Sequence, residues 1–349
     1  MLVTCLNEQH EVKDVSMSKI QQTTNQHTTH HLPYEMIVEI LHYLQSGEIL
    51  KQCCLVNRQW QSCCFMLPLR VKIAPRLNHK LGEIIADNRW MKKVCDLDLS
   101  FHPLGDEGIS SLVQSRVLSN LQHLNLHRSR MRTEGIRALC QSRYLMNIKS
   151  LNLSGCDIGL EGIKSLASST NLPNLETLNL CDCSLNCESI RILSRSPPLA
   201  NLTHLNLRNC TVGDDGARYI ASSPYLNQLK VLDFTFSNVG FNGLRELMES
   251  RNLSNLESLD LSHCEITNEG CKLIANSPFM LRLQHLNLTF SKIGCQGVKY
   301  IGEGSSMSLL QSLDLTFCKI GREGKQFIQQ SPFMNNLQVL KCYPLSNNL

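Results

Sequence analysis

The chain has 349 residues, 42% of them hydrophobic and 18% charged, with a net charge of +4. That basic bias is too weak to argue for nucleic acid or a membrane surface. No apolar run reaches the roughly 18 residues of a membrane span, and Glu8, Glu11, Lys13 and Asp14 stand where a signal peptide would be apolar. The expected compartment is therefore the cytosol or nucleus, with the 17 cysteines reduced.

Residues 1 to about 30 are polar, centred on Gln21-Gln22-Thr23-Thr24-Asn25-Gln26, and read as a disordered tail. His27, His30 and His31 could hold a metal, but a polar tail accounts for them. A helical unit over 31–66 follows. Ile37, Ile40, Leu41 and Leu44 form one face of a first helix, and Pro33 suits its first turn. Gly47 breaks the chain, a second helix carries Ile49, Leu50 and Cys53, and a third begins near Asn57 and carries Trp60. So small a unit holds more apolar surface than it can bury within itself, so a partner or the adjoining repeats should cover the excess. Cys53-Cys54 and Cys63-Cys64 are adjacent pairs rather than the C-x2-C spacing of zinc sites, and Cys181, Cys183 and Cys187 fit that spacing no better. No metal or cofactor is expected.

Residues 67–93, with "LRVKI" at 69–73, look like a degenerate capping repeat, and Ile85 lies 27 residues before Leu112, in register with the later helices. From residue 94 to 349 one unit recurs. Leu97, Leu124, Leu151, Leu178, Leu205, Leu232, Leu259, Leu286, Leu313 and Leu340 are each 27 residues apart. Two residues later stands Leu99, Leu126, Leu153, Leu180, Leu207, Phe234, Leu261, Leu288 or Leu315; three residues earlier stands another apolar residue, from Val94 to Leu337. This L-x-x-L-x-L spacing is a leucine-rich repeat, with a short strand alternating at period two. The rest of each unit reads as a helix. Asx or Thr opens it (Asp106, Asp214, Asn268), Ser closes it, and Pro often follows. The predicted fold is an α/β solenoid, a horseshoe with a parallel sheet on its concave face and helices outside, preceded by three helices.

Five residues after each first leucine stands His102, Ser129, Cys156, Cys183, Cys210, Ser237, Cys264, Ser291 or Cys318. A small weak donor fits a buried turn that must satisfy a carbonyl. On the concave face, Asp98, Asn125, Asn152, Asn179, Asn206, Asp233, Asp260, Asn287 and Asp314 form one column. It reads as a hydrogen-bonding ladder; the sharper reading, Asp233 with Asp260 as acid and base, lacks a nucleophile beside it. The next columns vary. Early repeats present His127, Arg128, Arg130 and Arg132, with Arg208 further on; later repeats present Phe236, Phe290 and Phe317, with Lys292 and Lys319. Such a face suits a protein partner, with an acidic or phosphorylated segment on the basic part and an apolar anchor on the phenylalanines. The alternative is that the phenylalanines pack on one another and only seal the sheet.

The segment 32–64 resembles the F-box motif in its Leu32-Pro33 start, Glu35, Ile40-Leu41-x-x-Leu44 and Leu55-Val56-x-x-x-x-Trp60. The repeats resemble the cysteine-containing type common in F-box proteins, with "LDLSHCEITNEGCKLIA" at 259–275 the best match. The resemblance implies a non-catalytic substrate-recognition subunit of an SCF-type cullin-RING ubiquitin ligase, monomeric within the complex. Leu32, Pro33, Ile37, Ile40, Leu41, Leu44, Val56 and Trp60 are the expected contributors to adaptor binding, and the concave face would bind an unidentified protein substrate. A repeat scaffold or inhibitor without a ligase role is the alternative.

Overall fold

The computed structural model describes residues 69–72, 92 and 94–342. The helical unit over 31–66, the polar tail and most of the capping region lie outside the described residues.

Among the described residues, eleven strands form one parallel sheet in strict chain order. The first, β1 (Leu69–Lys72), pairs with β2 (Val94–Asp98), placing Val71 beside Leu97. From β2 to β11 (Val339–Lys341) the strand-centre leucines are in register, Leu97 beside Leu124 and so on to Leu313 beside Leu340. This is the α/β solenoid that the 27-residue step predicts. The strands assigned by pairing are short, such as β3 (His123–Asn125), yet the ladder runs on past them. Leu99 N–H donates to Asn125 O at 2.8 Å, and Leu126 N–H to Asn152 O at 2.8 Å.

Nine helices, from α1 (Gly105–Val113) to α9 (Gly321–Gln329), follow strands β2 to β10 (Ser312–Asp314) among the described residues. Each buries one stripe. Helix α1 buries Ile109, Leu112 and Val113, and α3 (Gly159–Ala167) buries Ile163 and Leu166, while Ala167 stays half-buried. Together with the leucines of the strands they make one continuous core. Each fully buried leucine contributes roughly 1.5–3 kcal/mol.

The helix starts differ from expectation. Asp106, Asp214 and Asn268 do not cap their own helices; they reach across to the next repeat. Asp106 Oδ1 accepts from Arg132 N–H at 2.7 Å and Gly135 N–H at 2.9 Å, at the start of α2 (Thr133–Gln141). Asp214 Oδ1 accepts from Gly240 N–H, just ahead of α6 (Phe241–Met248). Asn268 Oδ1 accepts from Gly294 and Gly297 N–H, at the start of α8 (Cys295–Glu303). These carboxylate and amide oxygens satisfy donors that a helix leaves open at its N-terminus, and they tie adjacent repeats together.

The closing serines do the same at the other end. Ser169 Oγ donates to Cys140 O at 2.9 Å, Ser196 to Ala167 O at 2.6 Å, Ser250 to Ala221 O at 2.6 Å and Ser277 to Met248 O at 2.6 Å. Every bond spans 29 residues, from one repeat to the helix end of the one before. At the far end Val339 is exposed, Leu337 and Leu340 are half-buried, and β11 borders only β10 among the described residues.

Candidate functional site

The site grows out of the turn that leaves each strand. The Asx column sits at the last strand residue and is half-buried. Each side chain accepts from the N–H two residues on: Asn125 from His127 at 3.0 Å, Asn206 from Arg208 at 2.9 Å, Asp260 from Ser262 at 2.8 Å and Asp314 from Thr316 at 2.9 Å. The ladder is therefore mainly a row of local Asx turns. One rung crosses between strands, Asn287 Nδ2 donating to Asp260 Oδ2 at 2.7 Å. Burial raises the pKa of Asp233, partly offset by the Thr235 hydroxyl and N–H. Asp260 Oδ1 also accepts from Ser262 Oγ at 2.5 Å. These bonds occupy the two carboxylates structurally.

Five residues after the strand-centre leucine, six of the nine side chains donate as expected. Cys156 Sγ donates to Leu126 O, Cys183 to Leu153 O, Cys210 to Leu180 O, Cys264 to Phe234 O and Cys318 to Leu288 O, all at 3.2–3.3 Å, and Ser237 Oγ donates to Leu207 O at 2.8 Å. Burial raises the pKa of all five thiols. Among the described residues, no group of three or more His, Cys, Asp or Glu could hold a metal ion.

One residue before this buried turn lies an exposed rim. Phe101, Arg128, Gly155, Asp182, Asn209, Phe236, His263, Phe290 and Phe317 stand 27 residues apart, and every one has φ between 51° and 66°. From Phe101 to Phe290 the N–H of this residue donates to the next repeat: Arg128 N–H to Ser154 O at 2.8 Å and Phe236 N–H to Ser262 O at 3.0 Å. Glycine, asparagine and aspartate suit this conformation; phenylalanine and arginine are strained in it.

The candidate residues fall on three neighbouring columns of this rim, and the structure brings only some of them together. In the early repeats, His127 turns to Ser154, 2.6 Å from its Oγ, and meets the Phe101 ring edge-on with centroids 4.7 Å apart. Arg128 and Arg130 are exposed. Arg128 lies over Gly155, where an added Cβ would come within 2.7 Å of Arg128 Cγ. Next along the row, Asn209 Nδ2 donates to Asp182 Oδ1 at 2.6 Å; that bond, then Cys181, Arg128 and Arg208, holds the Asp182 carboxyl below its usual range.

In the late repeats the row becomes a stack. Ring centroids lie 3.7 Å apart for Phe236 and His263, 4.2 Å for His263 and Phe290, and 4.3 Å for Phe290 and Phe317. The Arg208 guanidinium carbon sits 5.9 Å from the Phe236 centroid, at the open end of the stack. Burial, then Arg208, lowers the pKa of His263, with Asp260 opposing, so the stacked imidazole is neutral at neutral pH. The phenylalanines pack on one another and still stay open to solvent: Phe236 is 46% exposed and Phe290 43%, while Phe317 is half-buried. Lys319 is exposed, and Lys292 pairs with Glu265 at 2.9 Å. His263, Phe101, Asp182 and Asn209 were not among the expected site residues. Their 27-residue spacing from Arg128 and Phe236 is the signal that finds them.

The expected adaptor-binding residues, Leu32 to Trp60, lie outside the described residues. Comparison with known proteins covers that region. A family model described as F-box-like matches residues 29–71. A leucine-rich-repeat model matches residues 93–113, 144–167, 199–221, 252–275 and 306–326. Among solved structures, an internalin from Listeria monocytogenes matches with 16% identity and a TM-score of 0.40, covering 90% of this chain and 95% of that one. No curated protein matches the chain. No helix among the described residues is long and apolar enough to cross a membrane. An F-box-like segment followed by a run of leucine-rich repeats makes this chain an F-box/leucine-rich-repeat protein.

Proposed function

We propose that the chain is the substrate-recognition subunit of an SCF-type cullin-RING ubiquitin ligase, doing no chemistry of its own. The observation that carries this reading is the combination of an F-box-like segment at 29–71 with a rim whose buried side is uniform and whose exposed side is varied. The F-box would dock on the adaptor, and through it a cullin, using Leu32, Pro33, Ile37, Ile40, Leu41, Leu44, Val56 and Trp60. The rim would hold a target protein. His127, Arg128, Arg130 and Arg208 supply donors for an acidic or phosphorylated segment, and Phe236, Phe290 and Phe317, flanked by Lys292 and Lys319, supply an apolar platform. Holding both partners at once raises their effective concentration for ubiquitin transfer. Free thiols at the buried turns suit a reducing cytosol or nucleus.

A pull-down with purified adaptor tests this, comparing the full chain with a Leu32→Ala, Pro33→Ala double variant. The expected result is capture by the full chain and loss in the variant at unchanged thermal stability. Failure of the full chain to bind would leave residues 29–71 as a cap on the solenoid and make the protein a binding scaffold without a ligase role.

A further inference from the structure

The stack from Phe236 to Phe317 has one open side, and its chemistry is specific. Mutual stacking at 3.7–4.3 Å occupies the ring faces, so the rings present their edges to solvent. Aromatic edges carry partial positive charge and faces partial negative. Edges therefore attract another ring's face or an acceptor oxygen, and they repel a cation. Arg208 at one end carries the same sign in full. Two carboxylates feel Arg208, and neither is free to cancel it: Asp182 answers to Arg128 as well and is engaged by Asn209, and Asp233 is half-buried and engaged by Thr235.

The backbone gives an independent reason to think these side chains serve something outside the fold. Gly155, Asp182 and Asn209 occupy the same column at the same φ. The repeat thus accepts small polar residues there, and phenylalanine is the strained choice at Phe236, Phe290 and Phe317.

We infer that the row from Arg208 to Phe317 docks one extended peptide segment, whose aromatic side chain lies face-down on the ring edges and whose acidic side chain meets Arg208. This rests on the reading of the rim as the target-binding face. Charge complementarity selects the acidic partner, since the row offers a cation, Arg208, at one end and partly positive phenylalanine edges along its length. Spacing follows from geometry. Neighbouring repeats are about 4.8 Å apart across the sheet, and an extended peptide advances about 3.3 Å per residue. The three steps from Phe236 to Phe317 thus correspond to about four residues, so the acid should lie two to four residues from the aromatic. An isolated acidic peptide or an isolated aromatic one fills half the row.

The test is selection of a phage-displayed random peptide library on the immobilised full-length protein. The expected consensus pairs an aromatic residue with Asp or Glu at that spacing. Arg208→Glu should reverse the charge preference, and Phe290→Asn should abolish retention of the selected peptides while leaving the melting temperature unchanged or higher. Phe327→Ala removes an exposed ring from helix α9, outside the rim, and should leave retention unchanged, which controls for folding. A consensus lacking either residue type, retention by both Arg208→Glu and Phe290→Asn, or no retained peptide at all would overturn the inference. Binding of a single-stranded oligothymidylate in place of peptides would assign the row to nucleic acid instead. Adaptor capture is read separately, through residues 29–71, so loss of this inference leaves the ligase reading standing and the reverse holds too.

Discussion

The buried turn and the exposed rim are one residue apart in every repeat, and they vary in opposite ways. Among the later repeats the turn holds only Cys or Ser, from Ser129 to Cys318, because its side chain must be small and buried, and in six of these eight repeats it donates to one fixed carbonyl. The rim holds Arg, Gly, Asp, Asn, His and Phe over the same stretch. Its backbone is set just as strictly, at φ near 60°, but its side chains face water. Burial plus a hydrogen-bond obligation narrows the choice of residue far more than an unfavourable dihedral does. The dihedral costs of order 1–2 kcal/mol per residue with a Cβ, which a stable solenoid can carry. A binding face can therefore be rewritten repeat by repeat without touching the fold.

The largest effect that sharpens this contrast comes from two phenylalanines two positions apart. Phe234 is fully buried at the second leucine position, and Phe236 is 46% exposed on the rim. Phe234→Ala should destabilise by about 3–5 kcal/mol through lost burial and the cavity left behind. Phe236→Ala should cost about 0.5–1.5 kcal/mol, the lost stacking alone, because alanine keeps the Cβ that strains the left-handed turn. Urea denaturation followed by circular dichroism measures both. Comparable losses would mean that the rim stack is part of the core.

A smaller effect separates pattern from packing. Ser142, Ser169, Ser196, Ser223, Ser250, Ser277 and Ser331 close helices at 27-residue steps, and Gly304 breaks the series. The pattern alone would restore serine there. However, a Cβ on Gly304 would stand 2.7 Å from the Ala275 carbonyl oxygen and 2.8 Å from its Cα. The carbonyl is already satisfied by Ser306 Oγ at 2.5 Å, from a short turn over Ser305–Met307. Gly304→Ser is expected to lower stability by about 1–3 kcal/mol, the usual cost of overpacking. A stabilised Gly304→Ser variant in the same denaturation assay would show that the turn relaxes to fit the repeat.

Much of this molecule was legible in its sequence, because a solenoid makes each repeat contact mainly its neighbours and so writes its contacts as one period. The strand leucines, the buried turn and the late phenylalanines all follow from the 27-residue step. The left-handed rim was legible in principle, since Gly155, Asp182 and Asn209 in one column point to positive φ. Phe101, Arg128 and the other bulky members disguised it. His263 escaped because it was not read as an aromatic, although it lies midway between Phe236 and Phe290 in the count. The helix caps were misread for a different reason. Local pattern assigns Asp106 and Asp214 to their own helices, whereas their acceptors serve N–H groups 26 residues onward. Which of two helices a capping oxygen serves is a question of direction, and side-chain direction is not periodic information.

The smallest effect concerns two serines that the pattern treats as equals. Ser237 and Ser291 both occupy the buried turn, two repeats apart. Ser237 Oγ donates to Leu207 O at 2.8 Å, as the cysteines do at their own carbonyls. Ser291 Oγ is buried with no hydrogen-bond partner among the described residues. Removing the first hydroxyl leaves Leu207 O with only the longer bond from Cys210 N–H at 3.2 Å, so Ser237→Ala should cost about 0.5–1.5 kcal/mol. Removing the second relieves a desolvated group that gains nothing in return, so Ser291→Ala should be neutral or stabilising by up to about 1 kcal/mol. The two variants are thus expected to shift the urea midpoint in opposite directions, or one of them not at all. Equal destabilisation would mean that Ser291 reaches its carbonyl in solution after all, and that the buried turn is uniform in chemistry as well as in size.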